Sequence, residues 1–318
     1  MESNACNLCR HQSATHWLTS VDRVSGEGFD IVQCSRCGLR YTSPRPTADE
    51  MAAYYSEPVA PSPPARILRR RLRERRARWC AAGLPPGRAL EIGCGDGWML
   101  ETLRRMGWWV VGTERSPQSA VRARSLGLDV RVGELAGCGF APQSLDLVIL
   151  WHVLEHLHDP LGALMEVRRL IHPSGRLVVA VPNAASWPAR VAGRRWFHLD
   201  LPRHLYHFAP QTLAAMLGRA GFRIQTWSFS SPTYECRGWW ELLRVWSRSD
   251  WLAGALASLT TPLAVVLSTV AAFRGAGAAV SVHASPVQRT PDNDSLTARP
   301  EKGYNSERVI ERDSTPSE

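Results

Sequence analysis

Ala89-Leu90-Glu91-Ile92-Gly93-Cys94-Gly95-Asp96-Gly97 joins a short apolar strand to three alternating glycines, with an acid two residues before the first. Glycines in that place let the backbone turn sharply and let ligand atoms reach main-chain N–H groups that a Cβ would shield. The stretch reads as a nucleotide-type ligand loop, in which Cys94 fills a variable slot. A dinucleotide loop would carry its third glycine where Trp98 stands, and a Walker loop would end in Gly-Lys-Ser/Thr; neither pattern is present. The plainer alternative is a tight strand-to-helix turn with no ligand.

Working outward, residues 108–113 form a second apolar run that ends at Glu114-Arg115, about twenty residues past the glycines, where such sheets place an acid for ribose hydroxyls. A third run, 129–132, leads to Gly133-Glu134-Leu135. A fourth, 144–150, leads into Trp151-His152-Val153-Leu154-Glu155-His156-Leu157-His158-Asp159-Pro160. Residues 177–181 give a fifth strand between the turn Pro173-Ser174-Gly175 and Pro182-Asn183. Residues 221–229 and 278–284 read as a sixth and seventh. The expected fold is α/β, a Rossmann-like, doubly wound, seven-stranded sheet over residues 66–284.

The GxGxG spacing with Glu91 at the strand tip, and the Leu-Glu-His turn followed by an Asp-Pro helix start, resemble class I S-adenosylmethionine-dependent methyltransferases of the ubiquinone-biosynthesis type. The resemblance implies S-adenosylmethionine as cofactor, held by Glu91, Gly93, Cys94, Gly95, Gly97, Glu114 and Arg115, with Glu134 and Leu135 at the adenine edge. In such relatives an acid-x-x-Glu-His pattern is associated with a metal ion. This chain has His152 at the first position, which leaves metal dependence open.

His152, Glu155 and His156 are the candidate catalytic trio. On a helical turn, positions i, i+3 and i+4 share a face, so two imidazoles and a carboxylate can converge on one proton or one divalent ion. A sulfonium is already a strong electrophile, so the protein has only to align the acceptor and remove its proton, a task that suits a histidine. Either His152 or His156 is the expected base, oriented by Glu155. Packing and helix capping are the competing roles. The Asn/Asp-Pro-Pro-aromatic motif of amine-methylating enzymes is absent at residues 150–153, so a hydroxyl acceptor is favoured. Trp151 and the aromatic, histidine-rich stretch 196–208, with His204, Tyr206 and His207, are expected to line the acceptor site.

Eight cysteines in a chain with no visible secretory signal point to thiols rather than disulfides, and to the cytoplasm. Four of them fall as Cys6-x-x-Cys9 and Cys34-x-x-Cys37, 24 residues apart, a pattern for one tetrahedral, structural Zn(II). Gly38 suits a left-handed knuckle position, and His11 and His16 are rival ligands. The expected organisation is a zinc module over 1–46, a linker over 47–65 containing four prolines within 58–64, the methyltransferase domain over 66–284, and a disordered tail over 285–318.

The net charge of +9 is concentrated in residues 66–78, where eight arginines surround three apolar residues. Such a run attracts phosphate, on nucleic acid or on lipid, or forms a solvated helix packed by its few apolar residues. The second role is favoured. Between the sixth and seventh strands, residues 236–275 read as an apolar helical insertion. Residues 251–273 carry no charge, yet their threonines, serines and proline argue against a single membrane crossing. A hairpin lying on the membrane competes with a helix pair buried on the protein or in a homodimer.

Together these features point to a cytosolic, membrane-associating methyltransferase that acts on oxygen of a small-molecule, saccharide or lipid-linked acceptor. Nucleic acid is disfavoured as a partner. The alternatives are a zinc-containing nucleic-acid-binding or RNA-modifying protein, and a relative that binds cofactor without turnover.

Overall fold

The computed structural model describes residues 1–55, 63–229, 243, 256, 259–260, 266 and 269–288. In chain order these begin with three short strands, β1 (Ala14–Val21), β2 (Gly28–Cys34) and β3 (Arg40–Thr42). Helix α1 (Pro63–Ala81) precedes the alternating part of the chain: β4 (Arg88–Ile92), α2 (Trp98–Arg105), β5 (Trp109–Glu114), α3 (Pro117–Arg124), β6 (Asp129–Val132), β7 (Leu145–Trp151), α4 (Pro160–Leu170) and β8 (Ile171–Pro182). The chain continues through α5 (Trp187–Ala192), β9 (Tyr206–His207), α6 (Pro210–Arg219), β10 (Phe222–Ser228) and β11 (Ala279–Pro286). Residues Met1–Pro286 form one compact unit.

Seven strands make the main sheet in the order β10-β11-β8-β7-β4-β5-β6. β4 to β8 run parallel, and β11 pairs antiparallel with both β8 and β10. The seven apolar runs read from the sequence are these strands. Their composition explains the burial, because parallel strands covered on both faces must be apolar at successive positions. Leu147, Val148, Ile149, Leu150, Val178 and Val179 are all fully buried. Along β4, Leu90 and Ile92 pack with α4 and α6, while Ala89 packs with α1, α2 and α3. Chain order reverses on either side of β4, which neighbours β5 and β7. That switch point is where open α/β sheets bind ligands, outside the carboxyl ends of their strands.

The second sheet is antiparallel, in the order β1-β2-β3-β9. Its first three strands come from the cysteine-bearing N-terminus, and the fourth is supplied by residues 206–207, which the sequence suggested only as loop. α1 starts inside the proline-rich stretch, at Pro63 and Pro64, because proline is tolerated in a first helical turn whose N–H groups need no helical partner. Most of the expected insertion, 236–275, and the tail from 289 onward lie outside the described residues. The last strand extends to Pro286, two residues past the expected end of the domain. Among the described residues, no helix is long and apolar enough to cross a membrane.

Candidate functional site

The loop from β4 to α2 turns on glycines that only a missing Cβ permits. Gly93, Gly95 and Gly97 all have positive φ, at 67°, 55° and 77°. A Cβ on Gly93 would lie 2.6 Å from Val153 Cγ2, and one on Gly97 would lie 2.5 Å from Leu128 Cδ1, whereas one on Gly95 would meet nothing within 4 Å. The loop is thus clamped at two glycines and open at the middle one. Cys94 is buried with its N–H donating to the Thr113 carbonyl at 3.0 Å. Its sulfur lies 2.7 Å from where a Cβ on Gly112 would sit, so β5 also needs a glycine at that point.

Two acids flank this loop. Glu114 accepts the Gly95 N–H on Oε2 and the Ser116 N–H on Oε1, both at 2.8 Å. Those bonds use one lone pair on each oxygen, and each oxygen can accept a further hydrogen bond. Glu91, 4% exposed, has a buried Oε2 with no hydrogen-bond partner among the described residues. Burial, reinforced by Asp96, pushes its carboxyl well above the ordinary range, against the pull of Arg76. An orphaned buried oxygen beside an open glycine turn fits a ligand rich in hydrogen-bond donors. Arg115, just past the end of β5, and Glu134 are both exposed, and Leu135 is buried.

The turn after β7 abuts this loop through Val153. His152 adopts a left-handed conformation, φ 55°, and only Leu154–His156 form a 3-10 turn, so the helical turn expected over the trio is not what brings its members together. His152 Nδ1 still reaches Glu155 Oε1, at 3.3 Å. Glu155 is fully buried, and its Oε2 has no hydrogen-bond partner among the described residues. The imidazole holds its carboxyl below the usual range in spite of burial, which acts in the opposite direction and is the largest influence. Burial lowers the His152 pKa. His156 turns elsewhere: its Nδ1 lies 2.9 Å from the Arg203 carbonyl, and its ring stands edge-on to His204 at 4.6 Å. Burial, then His204, pulls it down to about 4. One ligand atom each from Glu155, His156 and His204 falls within 4.8 Å of the others, close enough to share a metal ion.

The other aromatic and histidine positions do not share one pocket. Trp151 faces α1, with the Arg76 guanidinium 4.3 Å above its ring and Trp79 edge-on at 6.2 Å. His204 Nδ1 bonds the His198 carbonyl at 2.8 Å. Tyr206 donates to the His158 carbonyl and accepts from Arg45, both at 3.1 Å. His207 lies opposite Arg40 in the second sheet.

Cys6, Cys9, Cys34 and Cys37 converge, with sulfurs all within 4.8 Å of one another. The Cys6–Cys37 and Cys9–Cys34 sulfur separations are 3.4 and 3.5 Å. A tetrahedral Zn–S site, with bonds of about 2.3 Å, has edges of roughly 3.8 Å, so the four thiols fit such an ion with a small expansion. Gly38 takes the left-handed position expected of a knuckle, φ 73°.

Several contributors gave no sequence signal. Arg73 sits 3.6 Å from Asp96 and 4.9 Å over the Trp98 ring, so part of the arginine-rich helix is spent on the wall of the glycine loop. Asn7, inside the first cysteine knuckle, donates to Asp159 at 2.7 Å and accepts from the Leu161 N–H at 2.9 Å, which ties the knuckle to the start of α4. Arg203 joins Asp22 and Asp200, each at 2.9 Å.

Comparison with known proteins agrees with this geometry. A family model described as a methyltransferase domain matches residues 65–226. The ubiquinone biosynthesis O-methyltransferase of Xanthomonas campestris pv. campestris (strain B100) is 30% identical over 180 residues, which cover 52% of this chain and 74% of that protein. A protein of the same name from Cereibacter sphaeroides is 29% identical over 165 residues, covering 45% of this chain and 67% of its own length. A solved S-adenosylmethionine-dependent methyltransferase from Archaeoglobus fulgidus superposes on 68% of this chain and 94% of its own, at 20% identity and a TM-score of 0.47. With half of its length matched by the family, and with a glycine loop and two acids at the switch point of its sheet, the chain belongs to the S-adenosylmethionine-dependent methyltransferases.

Proposed function

We propose that the chain methylates an oxygen of a small-molecule, saccharide or lipid-linked acceptor, with His152 as the base and Glu155 as the group that orients it. The observation that carries this reading is the contact of Val153 with Gly93, which sets the His152–Glu155 pair against the cofactor loop. When bound, S-adenosylmethionine supplies an electrophilic methyl group on a sulfonium. Glu91, the glycine loop and Glu114 would hold it, with Arg115, Glu134 and Leu135 at its far side. In transfer the methyl would leave sulfur for the acceptor oxygen, releasing S-adenosylhomocysteine, and the imidazole would take the acceptor hydroxyl's proton. A carboxylate at Nδ1 fixes the tautomer with the proton there, leaving Nε2 as the accepting nitrogen. Burial keeps this imidazole neutral near pH 7, as a base must be.

Glu155, His156 and His204 favour a second reading, in which a divalent ion polarises the hydroxyl. Four converging sulfurs support a structural zinc at the N-terminus, closed and distant in role from the transfer step. Membrane association through residues 239–273 belongs to the proposal, since a lipid-linked acceptor would need it.

The test is transfer of labelled methyl to a panel of phenolic, saccharide and polyprenyl acceptors by wild type, His152→Gln and Glu155→Gln, with adenosylhomocysteine affinity measured in parallel. Loss of a base costs about 10²–10⁴-fold in turnover. The expected result is that loss in His152→Gln with unchanged adenosylhomocysteine affinity. Full turnover in that variant would remove His152 from the chemistry, and turnover abolished by chelation with the cysteine site still loaded would favour the second reading.

A further inference from the structure

A cavity of about 570 Å³ lies between the second sheet and the segment after β8, away from the glycine loop and the His152–Glu155 turn. We propose that it binds the phosphate group of a phosphorylated ligand, through Arg40, Arg190 and His207. The assignment does not depend on the methyl-transfer reading, because neither the residues that would hold the cofactor nor His152 and Glu155 line this cavity, whereas Cys37 of the cysteine site borders it.

Strand register builds the floor. Gln33 pairs with Arg40 and Arg40 with His207, so one row of three side chains crosses β2, β3 and β9 on a single face. Arg40 is fixed at two points: its Nε donates to Gln33 Oε1 at 2.9 Å, and its guanidinium centre stacks 4.1 Å from the Trp17 ring. Its terminal N–H groups remain for a ligand. Arg190, exposed on α5, lines the opposite side, close enough to disfavour the charge on Arg40, to which burial contributes more. No acid lines the cavity, and among the described residues neither arginine makes an ion pair. Two guanidinium groups facing one space without a carboxylate call for an anion from outside.

His207 supplies an independent sign. It lines the cavity at 4% exposure, and its Nε2 is buried with no hydrogen-bond partner among the described residues. A buried ring nitrogen without a partner costs stability unless a ligand or solvent meets it. The first turn of α6, ten residues long, contributes Gln211 and the positive end of the helix dipole. Bidentate guanidinium donors, a helix start and an imidazole match phosphate oxygens better than a single carboxylate. The Trp17 ring and neighbouring alanines leave an apolar wall for the organic part of a phosphoester.

Titration calorimetry of the full, zinc-loaded chain with inorganic pyrophosphate tests the assignment, with sedimentation on phosphatidylcholine vesicles carrying phosphatidic acid as the second arm. Removing either guanidinium from the phosphate should weaken binding roughly 10- to 100-fold. Arg190→Gln and Arg40→Gln should each show that drop, Arg122→Gln should not, and adenosylhomocysteine affinity should stay unchanged in all three. Because Arg190 is exposed, its replacement leaves the fold intact and keeps the test interpretable. Pyrophosphate binding alone would place the phosphate on a soluble ester, and vesicle binding abolished in Arg190→Gln would place it on a lipid. Neither pyrophosphate nor vesicle binding, or binding that survives both substitutions, would overturn the proposal.

Discussion

Replacing Glu91 by glutamine should make the protein more stable and a poorer binder of its cofactor. Glu91 lies at the carboxyl end of β4 with one orphaned oxygen, and burial raises its pKa well above that of a free carboxyl group. An unfolded chain releases this proton near pH 4.3, whereas the folded chain keeps it until the raised value is reached. Within that window the folded state holds more protons, so stability falls by up to about 1.4 kcal/mol per pH unit as pH rises, and the full penalty persists above it. Glutamine carries no charge and escapes the penalty.

A buried, unsatisfied polar group costs about 1–3 kcal/mol, and more when charged. For a chain of this size, 1 kcal/mol corresponds to about 2–4 °C in melting temperature, so Glu91→Gln should melt roughly 3–10 °C higher at pH 7.5. The two proteins should converge as pH falls toward 4. Adenosylhomocysteine affinity should drop about tenfold or more, because a charged acceptor is removed. Wild-type affinity should rise with pH, as binding expels the Glu91 proton, and the variant should show no such slope. Differential scanning calorimetry and titration calorimetry between pH 4 and 8 measure all three effects. Equal melting temperatures at pH 7.5 together with equal affinities would refute the assignment of a strained, ligand-facing carboxyl group.

Gly93→Ala places a methyl group 2.6 Å from Val153 at φ 67°. Left-handed backbone costs about 1–2 kcal/mol and overpacking about 1–3 kcal/mol, so adenosylhomocysteine binding should vanish while far-UV circular dichroism stays native; retained affinity would show that the loop does not touch the ligand. Chelation of the purified protein, followed by metal analysis, should release one zinc per chain and abolish cooperative unfolding of the second sheet, since zinc binding in small modules is worth about 10–16 kcal/mol. Cys9→Ser should behave like the chelated protein, and a chain that melts unchanged without metal would dismiss the site.

Most of the main sheet was legible because its signal is local. β7 and β8 carry the apolar runs 147–150 and 177–181, and the glycines and terminal acids punctuate the strands at spacings that few other folds reproduce. The second sheet was only half legible. Its fourth strand is two residues long, Tyr206–His207, and pairs with β3 across more than 160 residues of chain, so no periodicity announces it. The spacing of His152, Glu155 and His156 fits a helical turn, yet the backbone at His152 is left-handed and only Leu154–His156 form a 3-10 turn. Glu155 still meets His152, by a different route. Gly112 carries the same lesson: its need for a missing Cβ comes from Cys94 and Leu100 pressing against β5, a contact that sequence spacing cannot express.

The N-terminal sheet is built into the back of the candidate site. The Leu205 N–H donates to the Glu155 carbonyl at 2.8 Å, and the Leu205 carbonyl accepts the Thr42 N–H at 2.9 Å. One residue therefore links β3, three residues past the last knuckle position, to the carboxylate that meets His152. Arg45 extends the link, with Nη1 donating to the His158 carbonyl at 3.0 Å and to the Tyr206 hydroxyl. Asn7 closes it from the first knuckle by occupying the start of α4. A buried acid on a turn of three residues has little local structure to fix it, and backbone hydrogen bonds from a neighbouring strand supply that rigidity more cheaply than further side chains would. Metal at the four cysteines would thus act on Glu155 through backbone geometry, without approaching the reacting atoms.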